Sequence, residues 1–340
     1  MVSTSLDQPG GLDQPGRPDR SGRPDQPLIE VADLARDFVV RRRSDGWRRT
    51  TSVVHAVHDL TFDVAAGEMV GYIGPNGAGK STTIKMLTGI LVPTAGSLRV
   101  AGLEPSRQRS ELARRIGVVF GQRTTLWWDL PLRDSFELLR KIYRVPVDRH
   151  RANLARYVEL LDLGDQLDTP VRQLSLGQRM RGDIVAALLH DPEILYLDEP
   201  TIGLDVVSKG RLREFLRALN EERGTTLLLT THDLQDIEAL CDRVIVIDHG
   251  TAVYDGSLAG LHAQGESTRT LVVDLVDEAP PIDVPGASVH RVEGPRQWLT
   301  FPADASAAPV VAAVAAAYDV ADLSIQEPAI EDVIRQIYAR

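Results

Sequence analysis

Gly74-Pro75-Asn76-Gly77-Ala78-Gly79-Lys80-Ser81 constrains this chain more than any other segment. It follows a short apolar run, Glu68 to Ile73, and leads into a stretch of helical character from Lys80 to Ile90. The glycines let backbone N–H groups curl around phosphate oxygens, and a helix N-terminus just beyond adds the positive end of its dipole. Lys80 supplies a point charge for the β- and γ-phosphates, and the Ser81 hydroxyl is a ligand for Mg²⁺. A strand, a glycine turn and a helix in this order bind a nucleoside triphosphate, ATP or GTP.

The rest of the chain supplies the sheet such a loop needs. Leu28 to Val40 and Val53 to Val64 read as strands joined by a basic loop, Arg41 to Arg49. Ile116 to Phe120, Ile194 to Leu197, Thr225 to Thr230 and Val244 to Ile247 are short apolar runs of strand length, and helices are expected at 208–223 and 234–240. Between Leu132 and Leu189, Phe136, Leu139, Ile142 and Tyr143 keep helical spacing. Alternation of this kind predicts an α/β fold with a parallel sheet covered on both faces. After Gly256 the pattern changes to short strands at 269–276, 287–293 and 297–301, an Ala-rich helix from Ala307, and a last strand and helix. The glycines at 256, 260 and 265 mark the expected boundary, giving domains at 28–256 and 257–340. Residues 1–27 repeat a Pro, Asp, Gln, Gly and Arg vocabulary with almost nothing apolar, and read as a disordered tail.

Composition narrows the class. The 340 residues exceed one ordinary core, and 43% hydrophobic with 25% charged content is that of a globular protein. A net charge of −10 repels phosphate backbones, so no nucleic-acid partner is expected. No run approaches the roughly 18 consecutive apolar residues of a membrane span, the first residues lack the order of a leader peptide, and the lone Cys241 fits a reducing cytoplasm as a small core residue.

Two further motifs carry chemistry. Ile194-Leu195-Tyr196-Leu197-Asp198-Glu199 is an apolar strand ending in two carboxylates. Asp198 at the sheet edge can orient Mg²⁺ or its water shell, and Glu199, pointing elsewhere, can polarise an attacking water. Ser175-Leu176-Gly177-Gln178 opens the next helix; alone it is either an anion-binding helix end or an ordinary N-cap.

Taken with Gln122, Gly203-Leu204-Asp205 and His232, the order and spacing resemble the ATPase subunit of an ABC transporter over residues 28–256. The resemblance implies an ABC ATPase domain of the P-loop NTPase class: a mixed sheet core, an antiparallel N-terminal sheet and a helical subdomain at about 125–190, followed by a small α+β domain. It implies ATP and Mg²⁺ as cofactors, with Gly74, Asn76, Gly77, Gly79, Lys80, Ser81 and Thr82 around the phosphates and Phe38 stacked on the base. It makes Ser81, Gln122 and Asp198 metal ligands, Glu199 the catalytic base and His232 a switch on the γ-phosphate. Ser175, Gly177 and Gln178 look like the signature that caps the γ-phosphate held by an opposite subunit, with Asp205 linking the two sites. Leu176 stands where the commonest signature has glycine, and Phe38 replaces the more usual tyrosine.

The resemblance also implies partners: a paired ATPase subunit, in a homodimer or otherwise, and an integral membrane permease that holds the chain at the cytoplasmic face. A soluble ABC ATPase of ribosomes or DNA would carry a second cassette or a long coiled coil between Lys80 and Ser175, and the chain has neither. The segment Gln122 to Pro131 is similar to that of sodium- and drug-export ATPases working with ABC-2 type permeases, as is the ending from Gln326 to Val333. Export is therefore the expected direction, with import the alternative. Trp127 and Trp128 suit a partner groove or inward packing, and the basic loop with Trp47 suits anionic lipid or a solvated hairpin tip.

Overall fold

In the computed structural model, residues 27–43, 49–121, 123–231, 233–264, 268–302, 305–326, 333, 334 and 338 are described. In chain order the first part comprises β1 (Ile29–Arg43), β2 (Arg49–Val64), β3 (Met69–Ile73), α1 (Lys80–Leu87), β4 (Ala95–Val100), α2 (Arg109–Leu112), β5 (Ile116–Phe120), α3 (Leu132–Tyr143), α4 (Val147–Leu160) and α5 (Leu176–Leu188). There follow β6 (Ile194–Asp198), α6 (Val206–Arg223), β7 (Thr226–Thr230), α7 (Leu234–Leu240), β8 (Arg243–Asp248), β9 (Thr251–Ser257) and α8 (Leu258–Gln264). Last come β10 (Thr268–Leu275), β11 (Ser288–Glu293), β12 (Arg296–Pro302), α9 (Ala307–Ala317) and β13 (Val320–Gln326).

The central sheet runs β5-β6-β7-β3-β8-β9, parallel except for β9 at the edge. Its parallel strands are largely apolar because both faces are covered, and alternate residues serve two cores. Val70, Tyr72, Ile194, Tyr196, Leu228 and Ile245 face the layer made by α1 and an antiparallel sheet of order β2-β1-β4. Leu195, Leu197, Leu227, Leu229, Val244 and Val246 face the layer containing α3 to α7. Each such side chain contributes about 1.5–3 kcal/mol when fully buried.

The strands carrying the phosphate loop and the two carboxylates therefore lie in one sheet, as expected. The differences are local. β1 and β2 continue into the basic segment, pairing Arg41 with Thr51 and Arg43 with Arg49, because main-chain pairing fixed in register upstream propagates whatever the side chains. Residues 44–48, with Trp47, and 1–26 of the expected tail lie outside the described residues. β4 has no strand signature in sequence, since only Leu98 and Val100 of it are buried. The segment expected as a break at 256–268 contains the end of β9 and helix α8, whose Leu261 is fully buried.

The final strands form a sheet of their own, β11-β12-β10-β13, with a separate core in which Val310 and Val314 of α9 meet Leu271, Val273, Leu299 and Phe301. Buried Gln297 ties down the loop before β11: its Nε2 donates to the Ala279 and Pro280 carbonyls (both 3.1 Å) and its Oε1 accepts from Ile282 N (2.8 Å). The chain then returns, for Val333 and Ile334 are buried in the core formed by α3 to α7. Among the described residues no helix is long and apolar enough to cross a membrane.

Candidate functional site

β3 and β6 end at the same edge of the sheet, with β7 between them. Ile73 hands the chain to the glycine loop, while Asp198 pairs in register with Thr230 of β7 and Phe120 of β5. The carboxyl ends of parallel strands are where ligands bind in open α/β sheets. Here they frame a cleft of about 540 Å³ whose walls include Asn76, Gly77, Gly79, Lys80, Ser81, Thr82, Asp198 and Glu199.

The loop is built for close backbone approach. Gly79 caps α1 with φ +106°, a left-handed value that side chains disfavour, and a Cβ there would lie 2.6 Å from the Ala56 carbonyl oxygen. Thr83 Oγ1 donates to the Gly79 carbonyl (3.2 Å) and accepts from the buried Tyr72 hydroxyl (3.1 Å), so the helix start is pinned from the sheet side. Lys80 is buried and donates to the carbonyls of Gly74 and Pro75 (3.1 Å to the latter). Burial draws its ammonium below the usual lysine range, opposed by the charges of Glu199 and Asp198. A desolvated cation is a strong partner for phosphate.

Asp198 and Glu199 differ in their support. Thr230 Oγ1 donates to Asp198 Oδ1 at 2.5 Å, orienting that carboxylate. Glu199 takes φ +57°, held by its N–H to the Thr230 carbonyl at 2.9 Å. Adjacent acids are thereby held by different bonds within one cleft.

The Ser175 motif lies elsewhere. Ser175, Gly177 and Gln178 do not line the cleft, and neither does Asp205. Ser175 caps α5 in a reciprocal box, its Oγ accepting from Gln178 N (3.2 Å) and its N–H donating to Gln178 Oε1 (2.9 Å). Gly177 packs against Leu204 and the Gly203 backbone, so this helix start adjoins the turn that ends in Asp205. Asp205 caps α6, accepting from Ser208 N (2.9 Å) and from Ser208 Oγ (2.7 Å); these bonds hold its carboxyl below the usual range. Around both starts lies exposed apolar surface: Val206 is 85% exposed, Val207 66%, Ile202 39% and Leu176 38%.

Phe38 sits on β1 with the Arg36 guanidinium 4.8 Å from its ring centre, outside the cleft lining. Gln122 and His232 lie outside the described residues. Trp127 and Trp128 are 38% and 50% exposed, so neither ring is packed inward, and Arg179 lies over Trp128 at 5.4 Å. Cys241 is buried, and burial pushes its thiol up to about 12.

Lys85, Ile90 and Arg123 also line the cleft, as does Ala56. The cations have a faint sequence signal: Lys85 follows Lys80 on the same helix and Arg123 adjoins Gln122. Ala56 has none, since β2 reaches the cleft only through the fold. Another missed feature is the buried Asp236, which accepts from Thr201 Oγ1 (2.6 Å) and Arg213 Nε (2.6 Å) and so joins the segment after Glu199 to α6 and α7.

Comparison with known proteins agrees with this arrangement. The ABC transporter family profile matches residues 57–202. The ABC transporter ATP-binding protein NatA of Bacillus subtilis is 33% identical over 243 residues, covering 72% of this chain and 94% of that one. The Nod factor export ATP-binding protein I of Paraburkholderia xenovorans is 40% identical over 208 residues, covering 61% and 67%. Among solved structures, the dimeric form of a bacterial ABC transporter cassette superposes with a TM-score of 0.58 at 25% identity, over 68% of this chain and 99% of that one. A nucleotide loop and two carboxylates at one sheet edge, with that family profile across them, establish that this chain belongs to the ATP-binding, ATP-hydrolysing subunits of ABC transporters.

Proposed function

We propose that this chain powers export through a separate membrane permease of the ABC-2 type, and that its working form is a pair of copies sharing two ATP molecules. The observation that carries the reading is the division of the anion-binding machinery. The cleft of one copy holds Lys80 and the glycine loop, whereas Ser175 and Gly177 open α5 outside that cleft, beside exposed Val206 and Val207. Apolar surface of this kind marks an interaction site, and a two-fold head-to-tail pair covers it while bringing each helix start to the other copy's phosphate. The dimeric cassette that this chain resembles supports the pairing.

Within each site Asn76, Gly77, Gly79 and Thr82 line the phosphate path, Gly74 outside the lining starts the turn and holds Lys80 through its carbonyl, and Lys80 neutralises the β- and γ-phosphates. Ser81 and Asp198 line the same cleft, and a hydroxyl with a carboxylate is an oxygen donor set suited to Mg²⁺; Gln122 completes it by resemblance. The ion neutralises phosphate charge when bound. Glu199 polarises the attacking water, His232 contacts the γ-phosphate, Phe38 stacks on the base, and Asp205 relays between the two sites. Ser175, Gly177 and Gln178 cap the γ-phosphate of the other copy.

The relative named for export supports the direction, and exposed Trp127 and Trp128 supply an apolar contact for the permease that holds the chain at the cytoplasmic face. Residues from about 257 form an accessory domain for regulation or assembly. Nucleotide titration of Lys80→Ala tests the site: affinity is expected to fall roughly 100-fold with circular dichroism unchanged, and unaltered binding and hydrolysis would reject it.

A further inference from the structure

Asp183 lies in the second turn of α5 and is 4% exposed, within a run, Gly182 to Leu188, that is buried throughout. A buried carboxylate needs compensation, and this one receives it from a single short segment. Its Oδ1 accepts from Thr125 N (2.8 Å), Thr124 Oγ1 (2.9 Å) and Thr125 Oγ1 (3.0 Å). Thr124 Oγ1 in turn accepts from Leu126 N (3.1 Å), closing the segment on itself. Three donors on one oxygen suit an ionised carboxylate; burial pushes its pKa above the usual range, while the donors and nearby Arg179 draw it back.

The segment it grips spans two functional regions. Its beginning, Arg123, lines the nucleotide cleft, and its end carries exposed Trp127 and Trp128. Packing reinforces the grip: Leu126 is buried against Gly182, where a Cβ would lie 3.1 Å from Leu126 Cδ1 and 3.0 Å from Leu132 Cδ2. Arg179, one turn before Asp183, covers the Trp128 ring. Neither the nucleotide contacts nor the helix cap at Ser175 require a carboxylate at 183.

The geometry points to Asp183 as a positioning residue that locks segment 123–128 to α5, so that the cleft wall, the tryptophan surface and the Ser175 helix start move as one body. ATP captured by the Ser175 end of α5 is then felt at Trp127 and Trp128, and pressure on those rings reaches Ser175. The inference rests on the two-copy reading above, since it is the second copy's phosphate that pulls on α5.

Hydrogen exchange by mass spectrometry on full-length Glu199→Gln protein, with and without Mg²⁺ and ATP, tests it. In that parent, exchange is expected to slow about ten-fold at both 124–130 and 176–188. Adding Asp183→Ala should abolish the ATP effect at 124–130, leave it at 176–188, and move the ATP titration midpoint by less than about two-fold. Asp183→Asn keeps an accepting Oδ1 and should preserve the effect. Thr124→Val with Thr125→Val removes the hydroxyl donors without touching α5, and is expected to lose it too. That pair carries the test if Asp183→Ala fails to melt cooperatively. An undiminished ATP effect at 124–130 in the alanine or the valine variant overturns the lock. Slowing at 176–188 alone in the parent overturns the lock but not the two-copy site; no slowing at either segment overturns both.

Discussion

Glu199 occupies a left-handed backbone conformation, φ +57°, of a kind that costs a residue with a side chain on the order of 1–3 kcal/mol. The main-chain bond to Thr230 holds it there, one residue beyond the oriented Asp198. The left-handed turn at this position gives the two neighbouring acids different backbone settings, which suits the proposed division of labour between a metal ligand and a base. Glu199→Gln keeps size and polarity but cannot take a proton, so steady-state hydrolysis is expected to fall about 10²- to 10⁴-fold while ATP binding persists. A colorimetric phosphate assay alongside a binding titration checks it, and near-normal turnover would remove Glu199 from that role. Residues of this sort were legible because their motifs are contiguous: a loop, its lysine and a strand ending in acids announce themselves in linear order. Lys85, Arg123 and Asp183 were not, since their partners are assembled by folding, and a lone Asp among helical apolar residues carries no label.

At the scale of elements, the central strands were readable because strands buried on both faces must be apolar along their length. The edge strands β4 and β9 were missed for the complementary reason: one side of each meets solvent, and their patterns blend into turns. Two tyrosines show how the same burial differs in consequence. Tyr72 of β3 and Tyr196 of β6 are both fully buried, but Tyr72 donates to Thr83 whereas the Tyr196 hydroxyl has no hydrogen-bond partner among the described residues. Removing a paired hydroxyl leaves Thr83 short of a donor; removing an unpaired one relieves a desolvation cost. Urea denaturation should therefore show Tyr72→Phe destabilised by about 1 kcal/mol and Tyr196→Phe unchanged or stabilised by a similar amount. Equal destabilisation of both would mean that Tyr196 has an acceptor.

At the scale of the molecule, we propose a division near Gly256 between two sheets with separate cores, one that does not divide the chain cleanly. Leu261, Val333 and Ile334 lie beyond it and are buried in the core of the first part. Local glycines marked the change in pattern, whereas the returning end, a long-range contact, left no sequence signal. What one chain lacks is also set at this scale: the phosphate loop and the Ser175 helix start are both present but apart, and exposed Val206 and Val207 border the latter. The central claim is that two copies close on ATP. Nucleotide held between copies favours the pair by mass action, and blocking hydrolysis prevents its release. Light scattering coupled to size exclusion on the Glu199→Gln protein measures this directly. The account predicts twice the 37.3 kDa chain mass with ATP and Mg²⁺, and the single mass when they are withdrawn or when Ser175→Arg is added. A species of one chain mass with ATP bound, indistinguishable from its Ser175→Arg counterpart, would contradict it.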